Sequence, residues 1–238
     1  FSLQLLSAGL FVLIILVGLL GHRNPARNLA PTFVWSIGWV GLAYVSALAG
    51  NVWALVNPWQ VLERHGADAV RLYIMSQSAV WLPKRFDPHQ ITELAGGFLN
   101  TLRSTYEFFR RYAEDWRPPA EEEATPFGKR PSAERWLLAR LDEVVTSVRQ
   151  AWSLYDVTAG VRAIMDFVGE DLSRWYIRRN RPRFWAPDRA TDPVALETLH
   201  EALVVAVRLL APAAPFIADW THRAVTGTSV HLAPFPVD

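Results

Sequence analysis

Fifteen consecutive residues, Asp171 to Trp185 (DLSRWYIRRNRPRFW), combine two chemistries suited to a polyanion with exposed bases. Five are arginines (Arg174, Arg178, Arg179, Arg181, Arg183) and four are aromatic (Trp175, Tyr176, Phe184, Trp185). A guanidinium offers phosphate oxygens a planar fork of donors, and aromatic faces stack on unpaired bases, so the mixture suits a single-stranded RNA loop. On a helix, Arg174, Arg178 and Arg181 fall at i, i+4 and i+7 and share one face, with Arg179 and Arg183 beside them. Phosphate contacts from that edge would set position, while Trp175, Tyr176 or Trp185 could hold splayed bases. The same residues admit a structural reading. Cations are favoured at helix C-termini by the macrodipole, and Trp175 and Tyr176 could be core residues with satisfied polar ends.

The elements that must position this segment are helical. Asp87-Pro88 reads as an N-cap followed by proline at the first helical position, starting a helix to about Asp115. Its apolar stripe is Leu94, Phe98, Leu102, Thr105, Phe109 and Tyr112. A Pro- and Glu-rich loop, Arg117 to Pro131, follows. Ser132 is expected to cap a helix through Trp136, Leu137, Leu141, Val144, Val145 and Val148. Asp156 caps the next helix, which contains the arginine segment and is expected to stop near Arg181 because of Pro182. Asp192-Pro193 starts another, with Leu196, Leu199, Leu203, Val207 and Leu210 on one stripe, and Pro215 starts a short last one. SVHL at Ser229–Leu232 is the only expected strand. The fold class is therefore all-α, a bundle of about five helices.

The first quarter of the chain is different. Residues 1–60 contain no Asp or Glu and only Arg23 and Arg27 as basic residues, so residues 61–238 carry all 23 acids and a net charge of about −1. Phe1–Gly21 is uncharged and long enough to cross a bilayer as a helix. Pro31–Val56 is a second uncharged run, carrying Trp35, Trp39, Tyr44 and Trp53. Together they predict a hairpin of two transmembrane helices in residues 1–58, with membrane contact through 1–56, ahead of a bundle in 59–238. A buried hairpin of a soluble protein is the rival reading. Bulk charge does not argue for nucleic acid; only local clustering does. With no cysteine there is neither disulfide nor thiolate zinc site, and no pair of the six histidines has metal-ligand spacing. No Walker-type glycine loop or nucleophile elbow is present, so no residue is assigned a catalytic role.

The arginine segment resembles the signature of the anticodon-binding domain of isoleucyl-tRNA synthetases, which are class I aminoacyl-tRNA synthetases. The likeness continues in family order through HGADAVRLY (His65–Tyr73), WLPKRF (Trp81–Phe86), GGFLNTLRSTYEFFRRYA (Gly96–Ala113), RWLLARLDEVVTSV (Arg135–Val148), YDVTAGVRAIMDFV (Tyr155–Val168), RLLAPAAPFIAD (Arg208–Asp219) and SVHLAPFP (Ser229–Pro236). It covers about Asn57 to Asp238. Leucyl- and valyl-tRNA synthetases share the bundle, and WYIRRNR favours the isoleucine enzyme. The resemblance implies a cytoplasmic module that holds the anticodon stem-loop of tRNA through Arg174, Trp175, Tyr176, Arg178, Arg179, Arg181 and Arg183.

The family's HIGH and KMSKS motifs, which serve ATP and adenylate formation, are not in this sequence. Neither are the editing domain and the Cys-rich zinc element. SALAGNVWALVNPWQ stands where the KMSKS loop and its continuation are expected. No cofactor is expected here, ATP and magnesium being implied only for the catalytic domain. The chain is therefore expected to be a non-catalytic piece, fused after an unrelated membrane hairpin by gene fusion or mis-assembly. The competing expectation is a membrane-anchored helical domain that binds a protein partner and has lost tRNA function.

Overall fold

The computed structural model describes residues 16, 60–79, 82, 87–120, 122–185 and 191–237. The chain divides into two compact units, Phe1–Gln60 and Val61–Asp238. The expected membrane hairpin and the WLPKRF segment lie outside the described residues, apart from Leu16 and Leu82. Among the described residues, no helix is long and apolar enough to cross a membrane.

Two short helices, α1 (Gln60–His65) and α2 (Ala67–Gln77), flank Gly66, whose φ of 79° is a conformation that glycine adopts without strain. The next rod is α3 (Pro88–Leu94), a π-helical turn (Ala95–Leu99) and α4 (Asn100–Tyr112) in continuous succession. Helix α5 (Ser132–Ser153) follows the loop. Then α6 (Val157–Asp166), a π-helical stretch (Phe167–Ile177) and α7 (Arg178–Phe184) form another continuous rod. Helices α8 (Pro193–Leu210) and α9 (Pro215–Thr226) complete the bundle, with 3₁₀ turns at Phe127–Lys129 and Val230–Leu232.

Several caps stand where the sequence calls for them. Asp87 accepts from the N–H of His89 at 2.9 Å, Asp156 from Ala159 at 3.0 Å, and Asp192 from Val194 at 3.0 Å and Ala195 at 3.4 Å. Four local expectations need correction. Ser132 is the first helical residue of α5 rather than its cap, because Pro131 holds the N-cap position. Helix α4 stops at Tyr112, three residues before Asp115. Past that point the Arg117 guanidinium takes the carbonyls of Glu114 (3.3 Å) and Trp116 (2.8 Å), which satisfies backbone acceptors without helix. Pro182 does not stop its helix, which runs on to Phe184. Pro182 cannot donate to the carbonyl one turn back, but the helix continues for only two more residues, and Arg183 beyond it is held by ion pairs from outside. SVHL is a 3₁₀ turn, not a strand, since Asp219 binds both the Ser229 hydroxyl (2.5 Å) and the Val230 N–H (3.0 Å). No strand occurs among the described residues.

The main core is an apolar cluster to which all the long rods contribute, including Leu102, Phe109, Leu137, Val148, Ile164, Phe167, Leu172, Leu199 and Leu203, and a smaller one of Ala69, Tyr73 and Ile91 joins α2 to α3. Helix α5 packs on α6 and α8, and α4 packs on α8 and on the π-helical stretch of the arginine rod. Burying one large apolar side chain of this kind is worth about 1.5–3 kcal/mol, so the cluster holds the arginine rod rigidly. The opposite end of that rod is anchored to α2. Arg162 donates to the carbonyls of Ser76 and Gln77, each at 2.7 Å, and Thr158 donates to Ser78 at 2.9 Å.

Candidate nucleic-acid interface

The rod from Val157 to Phe184 sorts the signature residues into two sets. Leu172, Tyr176, Ile177, Asn180 and Phe184 are buried, while Arg174, Arg178, Arg179 and Arg181 are exposed. The sorting follows from helical geometry: positions three or four apart share a face, and the apolar face is committed to the core.

The exposed set is not uniform. Arg174 pairs with Glu170 at 2.5 Å, one turn away, and both side chains are more than half exposed. Such a pair is worth little in water and is easily exchanged for a phosphate. Arg178, Arg179 and Arg181 make no ion pair with a described residue. The Arg179 guanidinium lies over the Trp175 ring, 5.4 Å from its centroid, a cation–π contact. Trp175 also packs on Trp136 of α5, ring centroids 3.9 Å apart and tilted by 38°. Both tryptophans are half-buried. Trp185, which follows α7, is 64 % exposed. The edge thus offers exposed guanidinium forks beside aromatic surface, as binding of phosphates and splayed bases requires.

Of the seven candidate contacts, Tyr176 takes the core place, one of its two readings, and Arg183 is placed differently from expectation. Tyr176 is fully buried, and its hydroxyl donates to Glu134 at 3.1 Å, so it takes the structural role and has no face to offer a base. Burial, reinforced by the Glu134 carboxylate, pushes its phenol well above the usual range and keeps it a neutral donor. Arg183 is half-buried and engaged. It donates to Asp192 at 2.8 and 3.1 Å, to Asn180 at 3.2 Å and to the buried carboxylate of Glu134. Burial works against its charge, but the hydrogen bond to Asp192 and the Glu134 carboxylate outweigh it and raise its pKa further. Asp192 answers in kind. Burial alone would raise its pKa, and the Arg183 guanidinium lowers it. Arg183 ties the end of α7 to the first turn of α5 and the cap of α8, which leaves it few donors for RNA.

Trp136, expected on the apolar stripe of α5, supports the edge from that helix. Sequence reasoning missed Glu134, an acid in the first turn of α5 that carries no sign in the sequence of its burial against Tyr176 and Arg183. A second buried network holds the loop before α5. Arg130 donates to Glu197 (2.9 Å), Thr198 (3.2 Å), Glu201 (2.7 Å) and the Thr125 carbonyl (2.9 Å), and Glu197 also receives the Thr125 N–H and hydroxyl, each at 2.8 Å.

Residues 134–238 match the family model described as the anticodon-binding domain of tRNA ligase. The chain is 42 % identical over 200 residues to the isoleucine–tRNA ligase of Thermus thermophilus, covering 81 % of this chain and 19 % of that protein. It is 41 % identical over 184 residues to that of Porphyromonas gingivalis, covering 76 % and 16 %. It therefore spans less than a fifth of these relatives' length. Among solved structures, it is similar to the ternary complex of a LeuRS with tRNA and LeuAMS from Agrobacterium radiobacter (TM-score 0.56, 20 % identity, 76 % of this chain and 20 % of that one). It is also similar to apo methionyl-tRNA synthetase of Mycobacterium tuberculosis (TM-score 0.55, 21 % identity, 77 % and 40 %). At these identities the two structures support the helical fold alone.

Proposed function

We propose that residues 61–238 form the anticodon stem-loop binding module of an isoleucine–tRNA ligase. The observation that carries this reading is the exposed edge of Arg178, Arg179 and Arg181 beside the Arg179–Trp175–Trp136 stack, within the segment that matches the anticodon-binding domain of tRNA ligase. The isoleucine assignment draws on the relatives, each an isoleucine–tRNA ligase. In this reading the module works in the cytoplasm, where its tRNA is. It positions the RNA through phosphate contacts and holds unpaired bases on aromatic and guanidinium planes. ATP and magnesium serve the aminoacylation step; these residues serve the RNA.

The test is filter binding of tRNA across a salt series. Arg178→Ala/Arg179→Ala should weaken binding and flatten the dependence of log K on log salt by about 0.7–0.9 for each phosphate that the variant no longer neutralises. Equal affinity and equal slope in the variant would overturn the reading.

A further inference from the structure

A groove of about 760 Å³ opens at the C-terminal end of α4, between the turn that follows it and the last turn of α9. Phe109, Trp116 and Val225 contribute apolar wall, and Arg110, Arg111 and Arg117 stand on its rim. Two acids share the lining, Glu107 and Glu114. Glu107 is drawn off to Arg103 at 2.9 Å. Arg117 spends donors on the Glu114 and Trp116 carbonyls. Arg110 and Arg111 are exposed and make no ion pair with a described residue.

An aromatic seam joins α4 to the end of the arginine rod. Phe108 and Tyr112, which flank Arg110 and Arg111 in α4, pack on Phe184, with ring centroids 5.1 and 6.3 Å apart. Arg181 lies four residues after Ile177 and three before Phe184, so it falls on the side of its helix that meets α4. Arg111, three residues after Phe108, stands on the seam side of α4, while Arg110 faces the groove from the other side of the helix.

We propose that the sugar–phosphate backbone of the RNA held at Arg178–Arg181 crosses the seam onto Arg110 and Arg111, making the α4 groove a second phosphate site. The proposal rests on the RNA-binding reading above. The positive charge calls for a polyanion, and the seam that links α4 to the arginine rod selects RNA backbone over an acidic peptide as the occupant.

The experiment uses the full chain, unfractionated bacterial tRNA and a salt series, with Arg110→Ala/Arg111→Ala beside Arg178→Ala/Arg179→Ala. The α4 variant should bind about tenfold more weakly at low salt, with a salt slope shallower by about 1–2. Arg110→Lys/Arg111→Lys should recover most of that slope, since Lys keeps the charge. Wild-type affinity and slope in the α4 Ala variant, with weakened binding in the Arg178/Arg179 variant, would overturn the second site and leave the first reading standing. Wild-type behaviour in both would overturn both. Both pairs are exposed, so circular dichroism and Tm should match the parent chain.

Discussion

Asp68 in the first turn of α2 accepts hydrogen bonds from the backbone N–H groups of Ile217 (2.6 Å) and Phe216 (3.3 Å), and so caps α9 from outside that helix. The N-cap residue of α9 itself, Ala214, has no side chain able to do this. Arg71, one turn further along α2, donates to the carbonyls of Pro212 (2.8 Å) and Ala213 (3.1 Å) at the corner between α8 and α9. The HGADAVRLY segment is a clamp on this corner.

Replacing Asp68 with Ala should therefore cost what removal of an N-cap costs, about 1–2 kcal/mol, although the two partners are far apart in sequence. Urea denaturation of the purified chain measures it. Asp68→Asn, which keeps an acceptor, should recover part of the loss; a neutral Asp68→Ala change would mean the bond contributes nothing.

Glu134 is fully buried and carries both Tyr176 and Arg183. Glu134→Ala leaves the Arg183 cation half-buried with one acid fewer, so stability should fall by about 3 kcal/mol or more. Tyr176→Phe removes only the hydroxyl and should cost about 1 kcal/mol, with tRNA affinity unchanged because the ring faces the core. A fall in affinity for Tyr176→Phe at temperatures where the variant is folded would contradict the structural role.

His200 lies against Phe109 and Trp116, ring centroids 5.8 and 5.4 Å apart, and its Nε2 has no hydrogen-bond partner among the described residues. Burial, with a smaller contribution from the charge of His222, lowers its pKa below the ordinary 6.5. The unfolded chain then takes up the proton more readily than the folded one. Stability present above about pH 6.5 is lost as pH falls through the lower folded-state value. Denaturation midpoints at pH 7.5 and pH 5 should diverge for the parent chain and diverge less for His200→Phe.

Gly160 in α6 faces the Trp152 indole so closely that an added Cβ would lie 2.1 Å from its Nε1. Gly160→Ala should destabilise by about 1–3 kcal/mol through this overlap, despite alanine's better helix propensity. A Tm equal to or above that of the parent would show that the indole swings away freely.

The helical rods were legible because their apolar stripes repeat at helical spacing and because Asp87, Asp156 and Asp192 are followed by sequences that need a cap. The misplaced boundaries share one cause. Local propensity points to Ser132, Asp115 and Pro182, whereas neighbouring groups set the actual ends: Pro131 before α5, Arg117 closing the turn after α4, and Arg183 held by Glu134 and Asp192 after Pro182. Within the arginine segment, residue type marked the right stretch but could not divide it. Arg183 is on paper the equal of Arg178 and Arg181, and Tyr176 suits a core or a stacking place alike.

The order and spacing of residues determine that this part of the chain is helical, which stripe faces inward, and where arginines and aromatics concentrate, since these follow from periodicity and side-chain chemistry within a few turns. Only the tertiary structure decides which of those arginines remain free. Whether a guanidinium meets solvent or a carboxylate depends on residues brought in from other helices. For Arg183 these are Glu134 of α5 and Asp192 at the start of α8. For Arg178, Arg179 and Arg181 no described carboxylate arrives, and their charge is left for a partner.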